Sequence, residues 1–318
     1  MRTTSQNNNM PFIFKVDFNS QGQRLDNYLV KNLKTVPKSL IYRLIRKGAV
    51  KVNRKNIKQD YKLRVNDEIY VPYLEQTSQN PYRISPHHID MLKKSIIFEN
   101  RDVLIINKPA GISVHSGTNN DYGVIDILKQ IYGPSQYLEL AHRLDRETSG
   151  CLVLAKNRLV LNDIHNSMQA NQFEKEYMAL VKGTWSNSIR VIEDKLRRTH
   201  TSEGERKVIV DSVDGKEAVT RASVIKVKNN TSLVKLNPIT GRTHQIRVHL
   251  SNKGFPIAGD KKYGNKEWNK QLKDDLGFVR IFLHAFSIKF SLQGYQKPIS
   301  VQAELGGDLN KVLKHIGY

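Results

Sequence analysis

His142-Arg143-Leu144-Asp145-Arg146-Glu147-Thr148-Ser149-Gly150 sets one carboxylate, Asp145, between two guanidinium groups, then runs into an apolar segment, Cys151-Leu152-Val153-Leu154-Ala155. An acid flanked by two bases and launched into a strand is an odd way to build a surface turn. A cation close by favours the charged form of a carboxylate, and an ionised, pinned carboxylate can serve as a nucleophile. Taken alone, the plainer reading is a salt-bridged turn at a strand entrance. The remainder of the chain decides between the two.

The 318 residues are enough for two or so domains. Hydrophobic residues make up 39% and charged residues 25%, a globular balance. Lys and Arg number 51 against 30 Asp and Glu, a formal net charge of +21, so the expected partner is a polyanion. Nucleic acid leads a membrane surface as the candidate. No run approaches the roughly 18 apolar residues of a membrane span. The start is polar and Asn-rich, unlike a signal peptide, and Cys151 is the single cysteine, so a reducing cytoplasm is expected. Within its apolar run Cys151 reads as a small buried hydrophobe.

Toward the N-terminus, residues 1–20 read as a tail leading into one strand, Phe12–Val16. A compact unit follows over 21–75. Leu25, Tyr28, Leu29 and Leu33 repeat at helical spacing. A second helix takes Ser39 as its N-cap, buries Leu40, Ile41, Leu44 and Ile45, and stops at Gly48. Between Lys38 and Arg64 the bases are Lys38, Arg43, Arg46, Lys47, Lys51, Arg54, Lys55, Lys58, Lys62 and Arg64, opposed only by Asp60. Arg43, Arg46 and Lys47 share one helix face. A merely solvated face mixes signs; this one does not, which favours phosphate contact with RNA or DNA.

Residues 76–95 are polar and read as a linker. On an extended chain, adjacent His87 and His88 point opposite ways, which argues against a metal pair. From 96 to 318 short apolar strands such as Val103–Ile106 and Ala179–Val181 alternate with helices, one near Leu161–Ala170. The fold class expected is α+β on a mixed, largely antiparallel sheet.

The first unit resembles the S4-type RNA-binding domain, on Arg24-Leu25-Asp26, Ile41–Arg46, Gly48–Asn53, Lys55 and Asn66-Asp67-Glu68-Ile69. The S4 pattern usually has Gly where Arg54 and Asn66 stand; both are turn positions. Further stretches complete a second resemblance: Asn107-Lys108-Pro109-Ala110-Gly111, Lys175-Glu176-Tyr177, Thr240-Gly241-Arg242-Thr243-His244-Gln245-Ile246-Arg247, Gly259-Asp260 with Tyr263-Gly264, and Leu283-His284-Ala285. Together with His142–Gly150 they resemble the RluA family of pseudouridine synthases along the whole larger domain. With the S4-type unit ahead, the likeness is strongest to the C-type branch acting on the large ribosomal subunit.

The resemblance implies an isomerisation of uridine inside RNA, with 23S ribosomal RNA or a large-subunit precursor as partner and no metal or cofactor. Asp145 is then the essential carboxylate, attacking C1′ or promoting elimination across C1′–C2′. Arg247 supplies its charge-assisted partner, and Tyr177 lies against the flipped base. Arg143 is implied to fill the hole left by that base or to bind phosphate. Lys38, Arg43, Arg46, Lys47, Lys51 and Lys55 form the RNA-binding face. Arg242 and Lys175 serve structure or phosphate contact.

Without that motif context, Tyr177 reads as a core residue entering a strand. Thr243 caps a helix that starts at His244 and stops at Gly254, although Ile246, Val248 and Leu250 suit a strand equally. His244 and His249, five apart, fall on different faces and do not make a zinc pair. His142 and His284 read as hydrogen-bonding scaffold. No coiled-coil pattern argues against a monomer, and no G-x-x-x-x-G-K loop is present for a nucleotide. Two competing classes remain: a non-catalytic RNA-binding or ribosome-assembly protein of the same architecture, and an Asp-dependent hydrolase. The latter needs an acid cluster for magnesium that the sequence does not offer beyond Glu147. A degenerate binder is free to lose Asp145, Tyr177 or Arg247, and all three are present.

Overall fold

The computed structural model describes residues 11–33, 36–74, 84–116, 122–200 and 205–318. Its contacts divide the chain into two units, Met1–Arg83 and Ile84–Tyr318. In the first, strands β1 (Phe12–Lys15), β2 (Lys51–Val52), β3 (Lys55–Asn56) and β4 (Glu68–Val71) form an antiparallel sheet in the order β1-β4-β2-β3. Helices α1 (Leu25–Asn32) and α2 (Lys38–Arg46) bury Leu25, Leu29, Ile41 and Ile45 against Val52, Ile69 and Val71.

Two expectations change in this unit. The strand expected near Phe12–Val16 is present over residues 12–15, but it pairs with β4 from Phe12↔Val71 to Lys15↔Glu68, so the folded unit begins before residue 21. Ser39 does not cap α2: Pro37 holds the N-cap position and no side chain bonds there. Asn53, Arg54 and Asn66 take left-handed φ of 50°, 64° and 68°, so both departures from the S4 pattern sit where glycine is usual. Arg54 there costs on the order of 1 kcal/mol. The turn is tied down by Asn53 Nδ2 donating to Asp67 Oδ1 (2.7 Å) and Glu68 N–H donating to Asn53 Oδ1 (2.9 Å).

The second unit opens on α3 (Pro86–Lys94), inside the stretch read as a linker. Pro86 starts the helix without loss, since its missing N–H would be unpaired there anyway. Leu92 is fully buried in a core with Leu104, Ile106 and Leu128. The proline and two histidines hid the short apolar period. Residues 75–83 lie outside the described ones. His87 and His88 therefore ride on a helix, not an extended chain, and His88 Nδ1 meets the Tyr122 hydroxyl at 2.9 Å.

After α3 come β5 (Ile96–Glu99), β6 (Val103–Lys108), α4 (Val124–Tyr132), β7 (Glu139–Leu140), β8 (Ser149–Ala155), α5 (Arg158–Gln169) and β9 (Glu174–Lys182). Next are β10 (Val191–His200), β11 (Arg206–Val210), β12 (Lys216–Lys228), β13 (Thr231–Pro238) and α6 (Gln245–Asn252). The unit closes with α7 (Lys266–Leu276), β14 (Leu283–Phe290), β15 (Ile299–Gln302) and α8 (Gly307–Ile316). Among the described residues the sheet runs β11-β10-β12-β13-β9-β14-β8-β6-β5, with β15 beside β14 and β7 beside β8. Every pairing is antiparallel except β14 with β8, so the α+β fold on a mixed, mostly antiparallel sheet is the one expected. Among the described residues no helix is long and apolar enough to cross a membrane.

Strand β8 is buried along its whole length. Leu152 and Leu154 face one core; Cys151, Val153 and Ala155 face another. That explains its unbroken apolar run, as in strands covered on both sides. Burial pushes the Cys151 thiol up to about 12, so it is inert.

Gly150 is fixed by geometry at the one parallel pairing. Its φ is +111°, and an added Cβ would lie 2.2 Å from the Ala285 carbonyl oxygen. Gly150→Ala is expected to cost about 2–3 kcal/mol through backbone strain and to loosen the adjoining loop. Denaturant unfolding checks this; an unchanged midpoint contradicts the argument.

Candidate active site

Asp145 sits in the connection from β7 to β8, and its backbone carbonyl accepts the Thr148 N–H at 3.1 Å. Two anchors hold that connection. On one side Lys108, fully buried, donates from Nζ to the carbonyls of Pro109 (2.7 Å), Ile112 (2.9 Å) and Arg146 (3.1 Å). Burial lowers the Lys108 pKa to about 7, yet three carbonyl partners use all three protons of the ammonium form, so we take it as charged in this setting. Gly111 N–H also donates to the Arg146 carbonyl (2.9 Å), and Arg146 Nε to the Gly111 carbonyl (2.8 Å). On the other side Ser149 Oγ accepts from Arg280 (3.1 Å) and lies 2.8 Å from His284 Nδ1. The His284 Nε2 is 2.9 Å from the Ala303 carbonyl. A carbonyl only accepts, so Nε2 carries the proton and Nδ1 accepts from Ser149. His142 Nε2 accepts the Val153 N–H at 3.1 Å.

Helix α6 delivers the opposite charge. It begins at Gln245, one residue later than expected, because His244 is left-handed (φ 53°, ψ 18°) and no side chain caps it. The Thr243 hydroxyl is engaged by Arg198 instead. A left-handed non-glycine residue beside a cleft is strain held in place by its surroundings. Buried Gln245 supplies part of that hold. Its Oε1 accepts from the Thr240 hydroxyl (2.7 Å) and Arg242 N–H (3.0 Å), and its Nε2 donates to the Val219 carbonyl (2.9 Å) and Thr220 Oγ1 (3.0 Å).

Arg247, two residues further along α6, places Nη1 3.2 Å from Asp145 Oδ2. Its Nε and Nη2 each donate to Asp260 at 2.8 Å, and its guanidinium carbon lies 5.1 Å from the Tyr263 ring centre. Burial alone would lower the Arg247 pKa, but the Asp260 hydrogen bonds raise it above the usual range. Asp260 is 1% exposed. Burial would raise its pKa, and the Arg247 contact outweighs that and holds it below the ordinary carboxylate value.

His244 Nε2 is 3.8 Å from Asp145 Oδ2. The Tyr263 hydroxyl accepts the Val208 N–H (3.0 Å) and lies 2.9 Å from His244 Nδ1. Giving its own proton to Nδ1 satisfies the phenol and leaves Nε2–H facing Asp145. Burial lowers the His244 pKa, which keeps the ring neutral near pH 7.

Tyr177 on β9 lines the same cleft as Asp145, Arg247, Ile246 and Leu283, a space of about 530 Å³. Burial, then the Asp145 charge, raises its pKa, so the phenol keeps its proton. The structure thus brings Asp145, Tyr177 and Arg247 together. It does not give Asp145 the sequence neighbours first considered. Among the described residues its ion pair is with Arg247, with the neutral His244 ring 3.8 Å away, whereas Arg146 turns to Gly111 and Glu147. Arg143 is exposed at the cleft. The side chains of Lys38, Arg43, Arg46, Lys47, Lys51 and Lys55 are exposed on the first unit.

The RNA pseudouridylate synthase family model matches residues 102–252, and the S4 domain model matches residues 23–69. A ribosomal large subunit pseudouridine synthase C of Haemophilus influenzae is 44% identical over 297 residues, covering 93% of this chain and 92% of its own. The chain belongs to the RNA pseudouridylate synthase family. A synthase C of Escherichia coli K12 is 39% identical over 96% of both chains. Among solved structures, human RNA pseudouridylate synthase domain containing 4 covers 72% of this chain and 95% of its own at a TM-score of 0.59 and 25% identity.

Asp260 and Tyr263 stand in a motif that by itself gives them no role, and nothing in the sequence marks His244 as a neighbour of Asp145. The burial of Asp260, and with it the need for a buried partner, appears only in the structure. That partner, Arg247, lies 13 residues upstream, and the spacing does not reveal it.

Proposed function

We propose that this synthase converts uridines of large-subunit ribosomal RNA, 23S RNA in the bacterial cytoplasm, to pseudouridine. It does so as a monomer without a metal ion. The observation that carries the reading is the Asp145–Arg247 pair beside Tyr177 in one cleft. Arg247 and His244 both address Oδ2 of Asp145. Oδ1 has no protein partner among the described residues, and is the atom left for the ribose. It attacks C1′ or takes the C2′ proton; both use the same free oxygen and the same charge on the carboxylate. The N1–C1′ bond breaks, uracil turns over in the cleft, and C5 bonds to C1′ as the Oδ1–C1′ bond breaks or, on the elimination route, as Asp145 returns the proton to C2′. The C5 proton is lost and N1 gains one, so the product is an isomer. Tyr177, still protonated, offers a ring face to the extruded base.

Mapping pseudouridines in large-subunit RNA from cells with and without this chain tests the proposal. Loss of specific sites supports it; an unchanged map overturns it.

Grip on the RNA is assigned in part to α2. Replacing Arg43, Arg46 and Lys47 together by Ala is expected to lower affinity for large-subunit RNA by roughly 10-fold or more and to flatten the salt dependence by about 2–3 logarithmic units per decade of salt. Binding titrations at several salt concentrations check this. An unchanged slope removes the helix from the RNA interface.

A further inference from the structure

The charged side chains of β9 are unequally provided for. Glu174 pairs with Lys289 at 3.7 Å, Glu176 with Lys235 at 3.1 Å, and Lys182 Nζ donates to Asn265. Lys175 is partly buried, and among the described residues no carboxylate pairs with it. Burial lowers its pKa, with no carboxylate acting to offset that. Its charge acts on His142, whose pKa burial and then the Lys175 charge press down to about 3. A partly desolvated ammonium without a counter-charge favours an anion beside it, and a cleft that keeps one is a candidate ligand site.

Its position says which ligand. Lys175 and Tyr177 are two apart on one strand, so they share a face about 6.6 Å apart along the chain. Both line the cleft. Beyond Tyr177 the lining is apolar, with Leu283 and Ile246 at 3% and 7% exposure. Lys175 lies on the other side of Tyr177 along β9, and Met168, His142 and exposed Arg143 line the same cleft. The base belongs on the apolar side of Tyr177 and the backbone of the extruded nucleotide on the Lys175 side. The phosphodiester is the one anionic group an RNA carries.

We propose that Lys175 binds a phosphodiester adjoining the flipped uridine, forming an anion subsite that fixes the nucleotide's backbone while Asp145 works at its ribose. This rests on the synthase reading above. Arg143 is exposed, whereas Lys175 is partly buried in the cleft lining with no carboxylate paired to it among the described residues.

The test pairs a change in the protein with one in the RNA. The substrate is a large-subunit RNA fragment carrying one uridine that the wild-type protein modifies. In a matched fragment, a neutral methylphosphonate replaces the linkage 5′ or 3′ of that uridine. Lys175→Gln is expected to raise KM about 10-fold, with the loss in KM rather than kcat, and to reduce the salt slope by about 0.7–0.9. Lys175→Arg keeps the slope. For wild type, one of the two neutral linkages costs as much as Lys175→Gln, and for Lys175→Gln that linkage costs nothing further. Additive losses at both linkages overturn the inference, as does a kcat loss with KM and slope unchanged. Because the methylphosphonate arm uses the wild-type protein, a variant that misfolds does not spare the idea. If the wild-type protein converts no uridine in any large-subunit fragment, the function reading fails and the subsite falls with it.

Discussion

Asp145→Asn should abolish pseudouridine formation, with turnover falling roughly 10⁴-fold or more, while the fold and RNA affinity stay near wild type. The amide has the shape of the carboxylate and can accept from Arg247 Nη1. It cannot serve as nucleophile or base. Arg247 does not collapse in the variant, because its other two donors are committed to Asp260 at 2.8 Å each. Single-turnover conversion of a large-subunit RNA fragment, alongside binding and melting measurements, separates these outcomes. Activity within tenfold of wild type would remove Asp145 from the chemistry.

Asp260→Ala is the second large effect, and it acts on both stability and turnover. The carboxylate is almost wholly buried and accepts two hydrogen bonds from Arg247 and two from the backbone N–H groups of Lys262 (2.9 Å) and Tyr263 (3.1 Å). Removing one partner of a buried pair leaves a charge without compensation, which costs about 3–5 kcal/mol. The freed guanidinium also loses the register that aims Nη1 at Asp145, so turnover should fall even in molecules that stay folded. The sign of the pH effect follows from the depressed Asp260 pKa. The folded-state value lies below the unfolded one, so the pair's contribution is complete above the ordinary carboxylate range and is lost as pH falls through the folded value. Asp260→Ala should remove that share of the acid-unfolding slope. An unfolding curve identical to wild type in acid would show that the pair adds nothing.

Much of this was legible in the residues. The α+β sheet, the basic S4-type helix and the trio Asp145, Tyr177 and Arg247 all follow from ordered motifs along the chain. What was not legible is spatial. Adjacency alone pointed Asp145 at Arg143 and Arg146, and only the motif resemblance pointed to Arg247; a turn closed by the Thr148 N–H sends the neighbouring side chains apart, and the counter-charge does come from α6, 102 residues away. Helix α3 was hidden in a polar stretch because nine residues with Pro86, His87 and His88 show little period, and only Leu92 is fully buried. His244 offered no hint of its backbone, since left-handed strain is set by what Gln245 and Tyr263 grip.

Strand order also carries a consequence in time. β14 lies between β9, which bears Tyr177, and β8, whose entrance bears Asp145. Residues 283–290 are thus the wedge that sets the two halves of the cleft at their working separation. During synthesis the earlier parts emerge first and have no such spacer, and long-range pairings are slow to close. A growing chain cannot set Tyr177 and Asp145 at that separation until residues 283–290 have emerged.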